Sequence, residues 1–224
     1  MSQKHFPARG AALLAVLVSA VGAPSVSAQR AGALSILEGA AEKYRASSTL
    51  CADFRQELSI PLLGEERSGH GRLCQQQPNL FMMRFTEPGG DKVVADGTWL
   101  WLYFPSNDPK QVLRAALGSA PGAFDFHREF LESPAEKYEA RLEGEETLDG
   151  SPTYRILLTP KGVAGYKEAV IWVDARSHLV RRVETREENG SVRTVSLSNI
   201  ELGASPGADA FRFDPPPGAQ VITR

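Results

Sequence analysis

From Leu50 onward the chain is a succession of short runs rich in Val, Ile, Phe, Tyr and Trp, broken at close intervals by turn residues. That rhythm constrains the fold more than any other feature, because such runs are too short for helices and too regularly interrupted for one long element. Strands are predicted near 50–60, 65–77, 80–86, 91–96, 98–104, 136–147, 153–160, 167–174, 178–188 and 191–201. The dipeptides Asp96-Gly97, Asp149-Gly150 and Asn189-Gly190 tolerate the positive φ of tight hairpin turns, and each lies between two such runs. The expectation is a sequential antiparallel meander. One amphipathic helix precedes it, over Ala33 to Arg45, where Leu34, Leu37, Ala41 and Tyr44 recur at helical spacing. The meander is interrupted between Pro105 and Pro134. There, Lys110 to Leu117 has helical character and Phe124, Phe126, Phe130 and Leu131 bring apolar side chains into a segment bearing Gly and Pro. A connection of this length suits a lid or binding loop, and equally a crossover from one sheet edge to the other.

The start of the chain has a different character. Lys4 and Arg9 precede an apolar run from Ala11 to Val21, and small residues close it at Val26-Ser27-Ala28. The run is much shorter than the ~20 residues of a bilayer-spanning helix, and the three parts have the order of a cleavable secretory signal. Residues 1–28 are therefore read as the signal and 29–224 as a single domain beginning near Gln29. Gln29, not a cysteine, directly follows the small residues, so the pattern for lipid attachment at a new N-terminal cysteine is not seen. With 25 basic and 27 acidic residues the net charge is −2, and cleavage removes two of the bases, so nucleic acid is a poor partner.

Export would expose Cys51 and Cys74, the chain's two cysteines, to an oxidising compartment. They flank a predicted hairpin whose turn is Pro61-Leu62-Leu63-Gly64, and pairing about that turn sets Cys51 opposite Cys74. A disulfide follows if that register is right; two buried thiols follow if it is displaced by one residue.

Catalytic and metal motifs are missing. His70, His127 and His178 are isolated in sequence, and no HExxH, Cys-x-x-Cys, G-x-S-x-G or S-x-x-K pattern occurs. Gly69-His70-Gly71-Arg72-Leu73-Cys74 lacks the third glycine of a phosphate loop and lies in a hairpin. Glu145, Glu146, Glu187 and Glu188 fall beside turns, as solvated charges do. The chain reads as a non-enzyme that needs no cofactor and no metal.

Large apolar side chains are concentrated instead in Phe81-Met82-Met83-Arg84-Phe85 and Trp99-Leu100-Trp101-Leu102-Tyr103-Phe104. In the first run Phe81, Met83 and Phe85 share one face; in the second both faces are apolar. A strand apolar on both faces must be covered on both, by a helix, a lid, a partner or a bound lipid.

These same residues carry a resemblance. Pro78-Asn79-Leu80-Phe81, Glu87-Pro88, Val93-Val94-Ala95-Asp96-Gly97 and Leu100-Trp101-Leu102-Tyr103, followed by Pro105, resemble the periplasmic outer-membrane lipoprotein carrier family, LolA. The closing Phe211-Arg212-Phe213-Asp214-Pro215-Pro216-Pro217-Gly218-Ala219-Gln220-Val221 is similar to the family's terminal segment. The resemblance implies a mainly β fold with helices (α+β), a curved, incomplete antiparallel β-barrel covered by a helical lid. It implies a monomeric carrier of lipid-modified proteins, loaded by an inner-membrane lipoprotein export complex and unloaded to an outer-membrane receptor lipoprotein. A lipid-sensing regulatory domain of the same fold, or a carrier of another lipid, is the alternative. On this basis Phe54, Phe81, Met83, Phe85, Val93, Trp101 and Tyr103 would line the cavity, with Leu113, Leu117, Phe124 and Phe126 in the lid. Gln77 stands where the family typically has an arginine that latches lid backbone, and an amide lacks the charge and five-donor fork of a guanidinium. Met83 stands where a tryptophan is common.

Overall fold

The computed structural model of the protein describes residues 26–117, 126–207 and 209–224. Nearly all of the expected signal lies outside the described residues, as does Phe124. Helix α1 spans Val26–Arg45 and buries Ala33, Leu37, Ala40, Ala41 and Tyr44 along one stripe. Lys43 and Arg45 occupy its last turn, where positive charge complements the helix dipole.

The strands follow in chain order. They are β1 (Thr49–Ile60), β2 (Glu65–Gln76), β3 (Leu80–Glu87), β4 (Lys92–Asp96), β5 (Trp99–Tyr103) and β6 (Gln111–Ala116), then β7 (Tyr138–Leu148), β8 (Ser151–Pro160), β9 (Glu168–Asp174), β10 (Val180–Arg186), β11 (Val192–Leu202) and β12 (Gln220–Thr223). They form one open, curved sheet in the order β12-β6-β5-β4-β3-β2-β1-β11-β10-β9-β8-β7. Two antiparallel meanders, β1 to β6 and β7 to β11, are joined where β1 pairs with β11. The ten expected strands are all present.

Two strands were not expected. Lys110 to Leu117, read as helical, instead forms β6, because its backbone pairs with β5 on one side and β12 on the other. Ladder pairing on both sides outweighs the helix-favouring content of a stretch this short. β12 runs parallel to β6, the one departure from antiparallel pairing among the described strands. The segment between β6 and β7 carries the chain from one end of the sheet to the other, so the crossover reading holds. Its described part contains a π-helical turn, His127–Leu131, and a short helix α2, Pro134–Lys137.

The two faces differ. Side chains of one face, contributed by β1 to β5 and β7 to β11 and joined by α1 and the π-turn, converge in a single apolar cluster. Those of the opposite face divide into two separate patches, one over β1 to β6 and one around Trp172. Convergence marks the inner face of the curve and division the outer.

Candidate functional site

The site is the inner face of β1 to β6. Strand alternation directs Phe54 of β1, Phe81, Met83 and Phe85 of β3 and Val93 of β4 inward, which brings five of the expected residues together. Phe81, Met83 and Val93 are buried, whereas Phe85 is half-buried. Register adds residues that the sequence reading missed. Val93 pairs with Leu102, so Leu100, Leu102 and Phe104 extend the inward face, and the pairing of Leu102 with Leu113 sets Leu113 of β6 on the same side by register. Leu102, Phe104, Leu113 and Leu117 are half-buried. Phe85 packs edge-on to Phe54 at 4.9 Å between ring centres and lies 6.5 Å from Phe104, giving an aromatic row across β1, β3 and the end of β5. Between Phe54 and Phe85, β2 presents only Gly71.

Trp101 and Tyr103 are corrected. Both point outward, where they pack against Phe213 at 5.5 and 5.9 Å beneath the C-terminal segment. The physical reason is the β4–β5 turn. Ala95 pairs with Leu100, so even-numbered residues of β5 share a face with Val93, and a two-residue turn at Asp96-Gly97 would have had the same parity. Asp96 locks the arrangement by accepting from the amides of Thr98 and Trp99 and, at 2.7 Å, from the Trp101 indole. Burial opposes ionisation of Asp96, but these donors outweigh it and hold the carboxyl below the usual range. The outer patch also holds the Cys51–Cys74 disulfide, whose cysteines pair as the hairpin register requires.

The expected lid residues separate. Leu113 belongs to a strand, and Leu117, just beyond it, packs half-buried on the inner cluster. Phe126 stacks on Phe130, which is buried against the rings of Tyr138 and Tyr166. The Tyr166 hydroxyl donates to Glu129 Oε1, and the Tyr138 hydroxyl lies 2.7 Å from that of Tyr166 and 2.9 Å from the Glu129 carbonyl. Burial, reinforced by Glu129, raises the pKa of both phenols and keeps them protonated. With Lys137 donating to the Arg128 carbonyl and Lys161 to that of Ala135, residues 126–137 are fastened to the β7–β8 side.

Gln77 grips α1 instead. Its amide nitrogen donates to the carbonyls of Tyr44 at 2.9 Å and Ser47 at 3.2 Å, and its main-chain N–H donates to Ser48. It thus satisfies carbonyls at the helix C-terminus, which lack intrahelical partners. Tyr44 itself is buried, which raises its phenol to about 12. No group of acids, histidines or cysteines among the described residues is arranged to hold a metal. No helix among them is long and apolar enough to cross a membrane. The arrangement offers an apolar surface.

Comparison with known proteins finds relatives along most of the chain. The family model described as outer membrane lipoprotein carrier protein LolA matches residues 45–214. An outer-membrane lipoprotein carrier protein of Chromobacterium violaceum is 31% identical over 182 residues, covering 79% of this chain and 82% of that protein. One from Methylibium petroleiphilum is 29% identical over 220 residues, covering 96% and 99%. Among solved structures, an uncharacterized conserved protein from Thermus thermophilus aligns with a TM-score of 0.55 at 17% identity, covering 86% of this chain and 99% of that one. The Pseudomonas aeruginosa MucA/MucB complex aligns at 0.50 and 18% identity, covering 86% and 64%. At such identities these two structures speak for the fold alone.

Proposed function

Because the chain belongs to the LolA family of outer membrane lipoprotein carrier proteins, we propose that its half-buried inner face shields the acyl chains of lipoproteins on their way between two membranes. Residues 1–28 would direct it to the periplasm and leave. An inner-membrane export complex would load it and an outer-membrane receptor lipoprotein would receive the cargo, with no bond made or broken by the carrier itself. The observation that carries the reading is the unequal burial of one continuous apolar face. Phe85, Leu102 and Phe104 pack against a buried cluster yet remain half-open, and Leu113, paired with Leu102, is half-buried as well.

The energetics require such a surface. Each methylene moved into water costs ~0.8 kcal/mol, so a cargo with several long chains needs cover, and it needs cover that lets go. A finished core would hold too tightly, whereas a half-filled face can exchange protein contacts for acyl contacts.

Leu113→Glu tests the proposal. The side chain is half-buried on β6, so the variant should melt close to the wild type while acceptance of a fluorescent acylated lipopeptide falls by at least about tenfold, because a carboxylate must be desolvated beneath the chain. Undiminished acceptance would remove β6 from the surface. Native mass spectrometry of protein taken from the periplasm distinguishes the regulatory alternative, since a carrier should hold lipid-modified protein and a sensor a small ligand or protein partner.

A further inference from the structure

We infer that Gly69 is a positioning residue that sets how long an acyl chain the inner face accepts; the inference rests on the acyl-binding reading above. Gly69 and Gly71 alternate with inward Leu73 along β2, so the middle of that strand is bare on the inner side. Phe85 fills the bare slot. A methyl group on Gly69 would come within 2.9 Å of two carbons of the Phe85 ring and equally near the Glu87 carbonyl.

The two glycines have different work. A methyl on Gly71 would lie 2.0 Å from the Arg84 carbonyl, a collision with backbone beside the irregularity in β2–β3 pairing, so glycine there is needed for the strands to meet. At Gly69 one of the three contacts is with backbone, the Glu87 carbonyl, and the other two are with the Phe85 ring, which turns on rotatable bonds. The slot keeps that ring down on the sheet, edge-on to Phe54. Filling the slot would drive the ring the one way left to it, away from the sheet and into the space that a chain lying on Leu102 and Phe104 would use.

An aromatic ring over a strand glycine is also a stabilising device in its own right. A purely stabilising role would change melting without changing which chain length is preferred, and that is the distinguishing readout. Full-length mature protein, as wild type, Gly69→Ala, Phe85→Ala and the double variant, would be titrated with lipopeptides bearing a lauroyl, myristoyl, palmitoyl or stearoyl chain, with melting curves recorded alongside.

Exclusion of about two methylenes predicts stearoyl binding weakened on the order of tenfold in Gly69→Ala, with lauroyl binding within about twofold. Phe85→Ala should shift preference toward the longest chain, and the double variant should recover the stearoyl binding that Gly69→Ala lost. Equal weakening at every length, or an unchanged preference in Phe85→Ala, would overturn the assignment; the Phe85→Ala arm decides it alone if Gly69→Ala does not fold. Failure of the wild type to bind any probe would overturn the acyl-binding reading and this inference with it, whereas wild-type binding with an unaltered Gly69→Ala profile would overturn this inference only.

Discussion

The two halves of the sheet are made of similar residues and have different fates. On β8 and β9 the inward Ile156, Leu158, Ala169, Ile171 and Val173 are 0% exposed. On β3 to β6 the inward Phe81, Met83, Val93 and Leu100 are buried too, but Phe85, Leu102 and Leu113 stay half-buried, as does Phe104 just past β5. Side-chain chemistry does not separate the two sets. Cover does: α1 lies against β7 and β9, and residues 126–137 are clamped to the same side through Glu129, Tyr138 and Tyr166. One sheet can therefore be filled at one end and half-open at the other, according to where its helix rests.

The largest expected effect tests that division directly. Ile156→Ala should cost about 2–5 kcal/mol, as a fully enclosed cavity does, and should lower the melting temperature accordingly. Leu102→Ala removes a side chain of the same size class from the half-open face and should cost only about 1 kcal/mol, while weakening acyl binding. Equal losses of stability in the two variants would mean that the β5 face is an ordinary core, and the comparison would break.

How much of this was legible beforehand follows from where the physics is local. The β1–β2 register could be read because a short turn fixes it and two cysteines fall opposite each other. The edge pair β6 and β12 could not, since β12 has four residues and its partner lies more than a hundred positions earlier in the chain. The phase of β5 was misread because Trp99 to Phe104 is apolar on both faces and its composition carries no phase information. The parity of the Asp96-Gly97 turn carried it. Gly69 and Gly71 drew notice only as a failed phosphate loop; their actual setting, under an aromatic ring from the neighbouring strand, depends on a long-range contact.

A smaller effect concerns the turns that pin each half. Asp96 accepts from the amides of Thr98 and Trp99, and Asp174 accepts from those of Arg176 and Ser177 in the β9–β10 turn. Burial opposes ionisation of both carboxyls, yet the donors win and both are held below the usual range. A carboxyl with a lowered folded pKa binds fewer protons folded than unfolded. Its stabilisation is therefore present above the ordinary carboxylate pKa of about 3.9 and lost as pH falls through the lowered value. Melting temperature followed by circular dichroism should drop on acidification in the wild type. Asp96→Asn should begin about 1 kcal/mol less stable near neutrality and lose less on the way down. An identical acid limb in that variant would show that the β4–β5 turn contributes nothing to it.

The smallest effect on stability carries the most about release. Gln77, in the connection between β2 and β3, donates to the carbonyls of Tyr44 and Ser47, and so ties the end of α1 to the half-open side of the sheet. The rest of α1 rests on β7 and β9, so loosening this end should free the C-terminal turn of the helix without disturbing the filled core. Gln77→Ala removes neutral hydrogen bonds and should cost about 1 kcal/mol. Amide exchange should quicken at Tyr44 to Ser47 and stay unchanged on β8 and β9, and a bound acyl probe should dissociate several-fold faster. Gln77→Arg places a positive charge and a wider donor fork at the same helix end, where the dipole favours it, and should slow dissociation. Opposite shifts in the two variants would make this tie a determinant of how readily the half-open face gives up its chain; parallel shifts would mean that α1 moves independently of Gln77, and that the difference between the halves is static.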